Sequence, residues 1–247
     1  MKCLILAAGY ATRLYPLTEN FPKPLLTVKG KTILDWLVDD ISESGKVDQF
    51  IVISNHKFVE HFVQWASKKP QDIKVLDDGT TSNETRLGAV KDIQFAIDSL
   101  KLDDDLLIIA GDNLLDFSLT PFLQYAVTKG TSCIMRYYEP SETRLRKCGV
   151  VTVDDNDRII DMVEKPSDPP SHWCCPPFYF YKRMDVPLVA KGIEAGCGTD
   201  APGSFIAWLC KQVTVHAMQM PGNRHDIGNL ESYKTVQEKY TGIINGK

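Results

Sequence analysis

With 247 residues the chain can bury a full hydrophobic core in one sizeable domain, and its 28 basic and 32 acidic side chains leave a formal charge of −4. No basic tail or basic run appears and no apolar run approaches membrane-spanning length, so a general nucleic-acid binder and a membrane-spanning protein are both excluded as readings. Seven cysteines, odd in number and without metal-ligand spacing, read as reduced packing thiols, and Met1-Lys2 leads directly into a strand without a leader, which together point to a soluble cytoplasmic protein.

Leu4-Ile5-Leu6 is a continuous apolar run that stops at Ala7-Ala8-Gly9, the pattern of a buried parallel strand delivering a tight turn. Thr32 is placed to cap a helix carrying Ile33, Leu34, Leu37, Val38 and Ile41, which Gly45 ends. Phe50 to Ile53 is a second strand, and Phe58, Val59, Phe62, Val63 and Ala66 stripe a second helix. Ile73 to Leu76 gives a third strand, the polar loop 77–83 follows, and a helix is predicted from about Glu84 through Ile97. Leu106 to Ala110 is the fourth strand, closing at Gly111-Asp112-Asn113. Alternation of this kind predicts a three-layer, Rossmann-like α/β fold with a mostly parallel sheet and helices on both faces.

From about residue 131 the pattern changes. Cys133 to Tyr138, Gly149 to Val153 and Ile159 to Val163 read as strands without long helices between them, with a hairpin turn at Asp154 to Asp157, so a small antiparallel annex is expected. Phe178 to Tyr181 resumes strand composition after the proline-stiffened loop 166–170. A helix carries Phe205, Ile206, Trp208 and Leu209, a strand runs from Val213 to Met218, and a last helix runs from Leu230 to Tyr240. The expected organisation is one domain over 1–247, with a nucleotide-binding part to about 130, an annex over about 131–228 and a C-terminal helix over about 229–241.

The loop after the first strand is the stretch on which function turns, because open α/β sheets bind ligands at the C-terminal ends of their strands. Small residues at Ala7, Ala8, Gly9 and Ala11 let backbone amides approach an anion, and Arg13 and Lys23 add cations with no carboxylate close in sequence. The dinucleotide fingerprint is absent, since Arg13-Leu14-Tyr15-Pro16 occupies the place of a helix start, and so is the Gly-Lys-Ser/Thr of a P-loop. Asp112, after its glycine, suits either a turn cap or a carboxylate facing the same loop. Asp226 suits either a cap of the last helix or a second carboxylate. Glu164-Lys165-Pro166 by itself is a solvated charged turn.

Leu6-Ala7-Ala8-Gly9-x-x-Thr12-Arg13-Leu14-x-Pro16-Leu17-Thr18, followed by Pro22-Lys23-Pro24-Leu25-Leu26, resembles the signature of the sugar-phosphate nucleotidyltransferases, or NDP-sugar pyrophosphorylases, including the glucose-1-phosphate thymidylyltransferase group. The resemblance extends to Ala110-Gly111-Asp112-Asn113, Glu164-Lys165-Pro166 and Asp226-Ile227-Gly228. It implies the nucleotide-diphospho-sugar transferase fold and an enzyme that makes an NDP-sugar and pyrophosphate from an NTP and a sugar 1-phosphate. It further implies that Leu6, Ala7, Ala8, Gly9, Thr12, Arg13, Lys23, Thr85 and Gly88 hold the nucleotide, and that Gly149, Glu164 and Lys165 hold the sugar phosphate. Asp112 and Asp226 would bind Mg2+, and Arg13, Lys23 and Asp112 would carry the catalysis. Several residues depart from the family pattern: Cys148 and His225 stand where an aromatic is usual, Thr85 where glycine is frequent, Arg86 is unusual in the base-reading turn, and Asp200-Ala201-Pro202-Gly203 differs from the Glu-Ile-Thr-Asp element of thymidylyl-transferring members. Two further activities remain open on these residues. A cytidylyltransferase acting on phosphocholine would use Trp173, Tyr179 and Tyr181 as an aromatic cage, and a non-catalytic sensor would bind nucleotide or sugar phosphate without turnover. Oligomeric state is left open, including homo-oligomerisation.

Overall fold

The computed structural model describes residues 1–244. The chain opens with β1 (Lys2–Leu6), two single turns of 3-10 helix (Thr12–Leu14 and Lys23–Leu25), and the short strands β2 (Thr27–Val28) and β3 (Lys31–Thr32). Then come α1 (Ile33–Glu43), β4 (Gln49–Ser54), α2 (Val59–Ala66), β5 (Ile73–Asp77), α3 (Ala89–Leu100), β6 (Leu106–Ala110), β7 (Asn113–Leu115) and α4 (Thr120–Lys129). The second half supplies β8 (Ser132–Tyr138), α5 (Glu142–Leu145), β9 (Gly149–Val153), β10 (Ile159–Glu164), β11 (Trp173–Cys175) and β12 (Phe178–Tyr181). It closes with α6 (Leu188–Glu194), α7 (Gly203–Leu209), β13 (Val215–Gln219), β14 (Arg224–Asp226) and α8 (Leu230–Lys239). The fold is α/β, as the alternation predicts.

The chain groups into two compact units. The first comprises Met1–Arg86, Ala110–Pro121 and the segment from Pro221 onward. In it β1, β4 and β5 are parallel, with Leu4 opposite Ile51 and Val52 opposite Val75. Cys3, Leu4, Ile5, Ile51, Val52 and Ile53 are all fully buried, which is why these strands show no polar alternation. A cluster of Leu14, Val28, Ile33, Leu114, Ile227 and Tyr240 joins the first loop, α1, β7 and α8. Tyr240 adds a buried hydrogen bond from its hydroxyl to the carbonyl of Leu115 at 2.8 Å. The second unit comprises Leu87–Ile109 and Phe122–Met220. There β12 lies antiparallel to both β6 and β8, β13 runs parallel to β8, and β11 joins β8 to the hairpin β9–β10. These antiparallel strands are the annex read from the sequence.

Three local outcomes differ from the expectation. The helix predicted from Glu84 begins at Ala89, because Gly88 at φ 91° and ψ 150° breaks the helical path and acts as its N-terminal residue. The helices α4 and α6 and the strand β11 were not anticipated. Asp226 does not simply follow the strand β13: it ends a strand of its own, β14, paired antiparallel to β7. Among the described residues no helix is long and apolar enough to cross a membrane.

The start of α1 ties sequence to stability. Thr32 accepts the backbone N–H of Asp35 at 3.0 Å, and the Asp35 carboxylate accepts the N–H of Thr32 at 3.0 Å, a reciprocal cap. The same carboxylate accepts Trp65 Nε1–H from α2 at 2.8 Å and pairs with Lys69. Burial works against its ionisation, but Lys69, Trp65 and Thr32 outweigh it and hold the group below its ordinary value. A depressed carboxyl contributes stability that is present above its unfolded value of about 3.9 and is lost as pH falls through the folded value. Thr32→Ala is therefore expected to cost about 1 kcal/mol of unfolding free energy at neutral pH. The stability gap between wild type and Asp35→Asn should narrow as pH is lowered from 6 to 3 in urea titrations. A gap independent of pH would remove Asp35 from the acid response.

Candidate functional site

The first loop is shaped by backbone contacts within the first unit. The N–H of Ala7 donates to Ile53 O at 2.9 Å, and the carbonyl of Ala8 accepts Asn55 Nδ2–H at 2.9 Å. Asn55 is fully buried and also accepts Phe58 N–H, so it fixes the loop to the entry of α2. Ala11 turns left-handed at φ 47°, and its carbonyl accepts the Thr18 hydroxyl at 2.8 Å. A Cβ placed on Gly9 would meet nothing within 4 Å. The fold does not need glycine there, whereas a ligand lying against the loop backbone would.

This loop walls a cavity of about 390 Å3, a size suited to a small molecule. Leu6, Ala7, Gly9, Thr12, Arg13, Lys23 and Asp112 all line it, and every one of them was singled out from the sequence. Arg13 is exposed to the cavity, and among the described residues no carboxylate pairs with it. Lys23 is buried, 7% exposed, and its ammonium lies 2.7 Å from Asp112 Oδ2, across 89 residues of sequence.

Asp112 is held from several sides. Asn113 Nδ2 donates to Asp112 Oδ1 at 3.0 Å and to the carbonyl of Ala110 at 3.1 Å, while its own Oδ1 accepts Arg224 Nη1–H at 2.8 Å. Burial opposes a charged Asp112, but Lys23 and then Arg224 outweigh it and keep the carboxyl below its ordinary value. Asp226 lies directly opposite Asn113 in the β14–β7 pair, which sets its backbone beside the residue next to Asp112. The neighbouring turn is locked by Asp116, which accepts Asn223 N–H at 2.6 Å and Asn223 Nδ2–H at 2.9 Å. Asp226 itself is exposed, and Ile227 and Gly228 after it line the cavity.

In the second unit a different pocket of contacts surrounds Glu164 at the end of β10. A Cβ on Gly149 would lie 2.8 Å from Glu164 Oε2, and one on Gly203 would collide with the same oxygen. Glycine at both positions makes room for that carboxylate. Burial pushes Glu164 up and the charge on Asp200 adds to this, outweighing the opposing effect of Lys165. Lys165 is exposed at φ 49°, its N–H donating to Cys148 O at 2.9 Å.

Thr85 and Gly88 do not line the cavity; Asn83 and Arg86 do. The Thr85 hydroxyl is turned into its own loop, donating to Ser82 O at 3.1 Å. A Cβ on Gly88 would stand 2.6 Å from the backbone oxygen of Thr199, and the carbonyls of Thr199 and Asp200 accept the first free N–H groups of α3. Asn55, Arg224 and Gly203 escaped the sequence reading as site residues because each acts through a partner far away in sequence, Ala8, Asn113 and Glu164 respectively, while Asn113 entered it only as the last residue of the Gly-Asp motif. Of these, the Arg two residues before Asp226 lay close enough to a motif to have been noticed. Trp173, Tyr179 and Tyr181 do not gather into a cage. The face of Trp173 is covered by the Arg136 guanidinium at 4.7 Å, while Tyr179 and Tyr181 are buried against one another.

The family model described as Nucleotidyl transferase matches residues 2–242. The bifunctional protein GlmU of Methanocaldococcus jannaschii is 30% identical over 251 residues, covering 100% of this chain and 57% of that protein. The UTP–glucose-1-phosphate uridylyltransferase of Synechocystis sp. is 24% identical over 242 residues, covering 94% of this chain and 61% of that one. The chain thus spans little more than half the length of these relatives. The crystal structure of apo UDP-glucose pyrophosphorylase is similar with a TM-score of 0.83 at 19% identity, covering 97% of both chains, a likeness of fold.

The two glycines make opposite predictions. Gly88 occupies a backbone region open only to glycine and abuts backbone, so Gly88→Ala should cost about 2 kcal/mol or more, a fall of roughly 4–8 °C in melting temperature for a chain of this size. Gly9→Ala should leave the melting temperature unchanged. Equal melting temperatures for Gly88→Ala and wild type would show that the loop at 199–200 moves aside freely.

Proposed function

The chain belongs to the Nucleotidyl transferase family, and we propose that it joins an NTP to a sugar 1-phosphate, giving an NDP-sugar and pyrophosphate. The observation that carries this reading is the cavity in which the glycine loop, Arg13, Lys23 and Asp112 come together.

In this reaction a phosphate oxygen of the sugar 1-phosphate attacks the α-phosphorus of the NTP; a P–O bond forms, the bond to the β-phosphate breaks, and pyrophosphate leaves with its electron pair. The attacking phosphate has a second pKa of about 6, so an anionic oxygen is available at neutral pH and no protein base is required. The chain's task is to neutralise charge and align the reactants. Arg13 would take the departing β- and γ-phosphates through its planar fork of donors. Lys23, paired with Asp112, would turn to the α-phosphate, and Leu6, Ala7, Ala8, Gly9 and Thr12 would line the nucleotide's bed. Thr85 and Gly88 would serve the nucleotide indirectly, by shaping the loop from which Arg86 reaches the cavity. In the second unit Lys165 would hold the sugar phosphate, Glu164 would accept sugar hydroxyls, and Gly149 would give the sugar close approach to the backbone.

The donor set suits Mg2+. Asp112 and Asp226 are hard oxygen donors, Asp112 is 43% exposed at its side chain, and the β14–β7 register brings Asp226 opposite Asn113. Mg2+ takes one or two carboxylates beside phosphate and water, so these two aspartates would suffice. Bound there, Mg2+ would neutralise phosphate charge as it develops.

Pyrophosphate release measured across all four NTPs and TTP, each against a panel of sugar 1-phosphates and phosphocholine with Mg2+, tests the reading. Turnover with a sugar 1-phosphate is expected; turnover with phosphocholine alone would replace the proposal with the cytidylyltransferase reading, and nucleotide binding without any turnover with the sensor. Lys23→Ala should lower turnover more than it weakens sugar-phosphate binding, while Lys165→Ala should chiefly raise the sugar-phosphate KM. Identical kinetic signatures would overturn that division.

Asp112→Asn and Asp226→Asn keep shape and remove charge, so each should reduce kcat by orders of magnitude, the loss expected when several kcal/mol of charge stabilisation disappears. The fold should survive both. Near-normal Mg2+-dependent activity with a lowered melting temperature would make the aspartate in question a structural cap.

A further inference from the structure

Beside the Glu164–Lys165 element of the second unit lie two thiols and a phenol that take no part in the proposed transfer. Cys148 immediately precedes β9, and its carbonyl accepts the N–H of Lys165 at 2.9 Å. On the antiparallel neighbour β11, Cys174 stands opposite Val150 and Cys175 opposite Gly149. Side chains alternate along a strand, so Val150 and Cys174 share one face and Cys148, two residues before Val150, is placed to join them. Leu145, Val150 and Cys174 form one packed cluster, and Cys148 and Tyr137 pack against it.

The contact is specific. The Cys174 thiol hydrogen-bonds Cys148, and Tyr137 Oη lies 3.7 Å from Cys148 Sγ. Cys174 is fully buried, whereas Cys148 is partly exposed and open to a small oxidant. The hydrogen bond to Cys148, and then burial, push the Cys174 thiol up, and Cys148 is the sulfur of the pair that a small oxidant reaches. Cys175 cannot substitute for either. It is adjacent to Cys174 on the opposite face of the strand, and it is buried beside Tyr179 and Glu164.

We propose that Cys148 and Cys174 form an oxidative modification site, in which a hydroperoxide converts the thiol pair to a disulfide that acts on Lys165 through the Cys148 backbone. The Cys148 thiolate attacks one peroxide oxygen; an S–O bond forms, the O–O bond breaks, and the departing oxygen takes a proton to leave as water or alcohol. The Cys174 sulfur, giving up its proton, then attacks the resulting sulfenic acid; the S–S bond forms, the S–O bond breaks and water leaves. Two thiols lose two electrons and the peroxide gains them. Closing this bond draws Cys148 toward β11 while its carbonyl still holds the left-handed backbone of Lys165. The effect on substrate rests on the proposed role of Lys165, and the modification itself does not.

The test uses the full chain, reduced, then exposed to a small excess of hydrogen peroxide, alkylated under denaturing conditions and mapped by mass spectrometry. A peptide beginning at Cys148 linked through Cys174 is expected, reversed by dithiothreitol and still formed in Cys175→Ser. Cys174→Ser should stop at a Cys148 sulfenic acid that dimedone traps, and Cys148→Ser, altered at the more exposed position, should form no link. Cys148 remaining alkylatable while the partly exposed Cys197 and Cys210 oxidise, or a link that excludes Cys174, overturns the pair. With the disulfide formed, the KM for sugar 1-phosphate should rise several-fold and recover on reduction; an unchanged KM overturns the coupling to Lys165. Because the mapping needs no activity, absence of turnover in the reduced protein would count against the proposed function and leave the thiol assignment to the mapping.

Discussion

The ion pair between Lys23 and Asp112 is the constraint around which the first unit is arranged. An ammonium as buried as Lys23 costs several kcal/mol to remove from water unless a counter-charge sits against it, and a half-exposed carboxylate at 2.7 Å is that counter-charge. The pair fastens the turn Lys23–Leu25 to the residue after Gly111, whose own N–H donates to Leu6 O at 2.9 Å at the end of β1. A charge pair of this kind works only if its geometry is fixed. Asn113 fixes it by gripping the other carboxylate oxygen and the carbonyl of Ala110, and Arg224 completes the set from β14. Lys23 and the Asn113 amide therefore converge on a single carboxylate, and Arg224 adds a second cation through its hydrogen bond to Asn113. That excess of positive charge is local in a chain whose net charge is −4, and a phosphate-bearing ligand is the natural complement to it.

Glycine has two physical uses here, and the structure separates them. Gly88, Gly149 and Gly203 are small because protein atoms already fill the space a side chain would take. Gly9 has empty space beyond its Cα and lines the cavity. A glycine without an internal reason, in a loop whose amides border a cavity that Arg13 also lines, is what close backbone approach of a ligand requires. Gly149 shows how the two uses combine, since the carboxylate for which it makes room is one of the groups assigned to the sugar.

Sequence alone was most informative where a physical demand is local. Full burial on both sides of β1 and β6 writes itself as Cys3-Leu4-Ile5 and Leu106-Leu107-Ile108-Ile109, and the strand ends then locate the loop and Asp112. The reciprocal cap at Thr32 and Asp35 is likewise a three-residue affair. The start of α3 is set at Gly88, whose backbone leaves the helical path, and its first amides are satisfied by the carbonyls of Thr199 and Asp200, distant in sequence, so the glycine alone did not mark the boundary. The strand β14 is three residues of Arg-His-Asp with no apolar period, and it exists through its register with β7 and the clamp of Asp116 on Asn223. Asp226 was thus legible as a motif residue while the element that carries it was not.

The proposed chemistry explains why the site is electrostatic. When the nucleophile is an already ionised phosphate and the leaving group is pyrophosphate, proton transfer contributes little and the barrier lies in bringing anions together. A serine–histidine pair or a catalytic thiol would have nothing to do; the charged side chains that line the cavity are Arg13, Lys23, Arg86 and Asp112. The same logic accounts for the cysteines. Since no thiol is needed for transfer, the position before Gly149 is free to carry Cys148, and its partnership with Cys174 lies outside the transfer chemistry, joined to it by the single hydrogen bond from Lys165 N–H to Cys148 O.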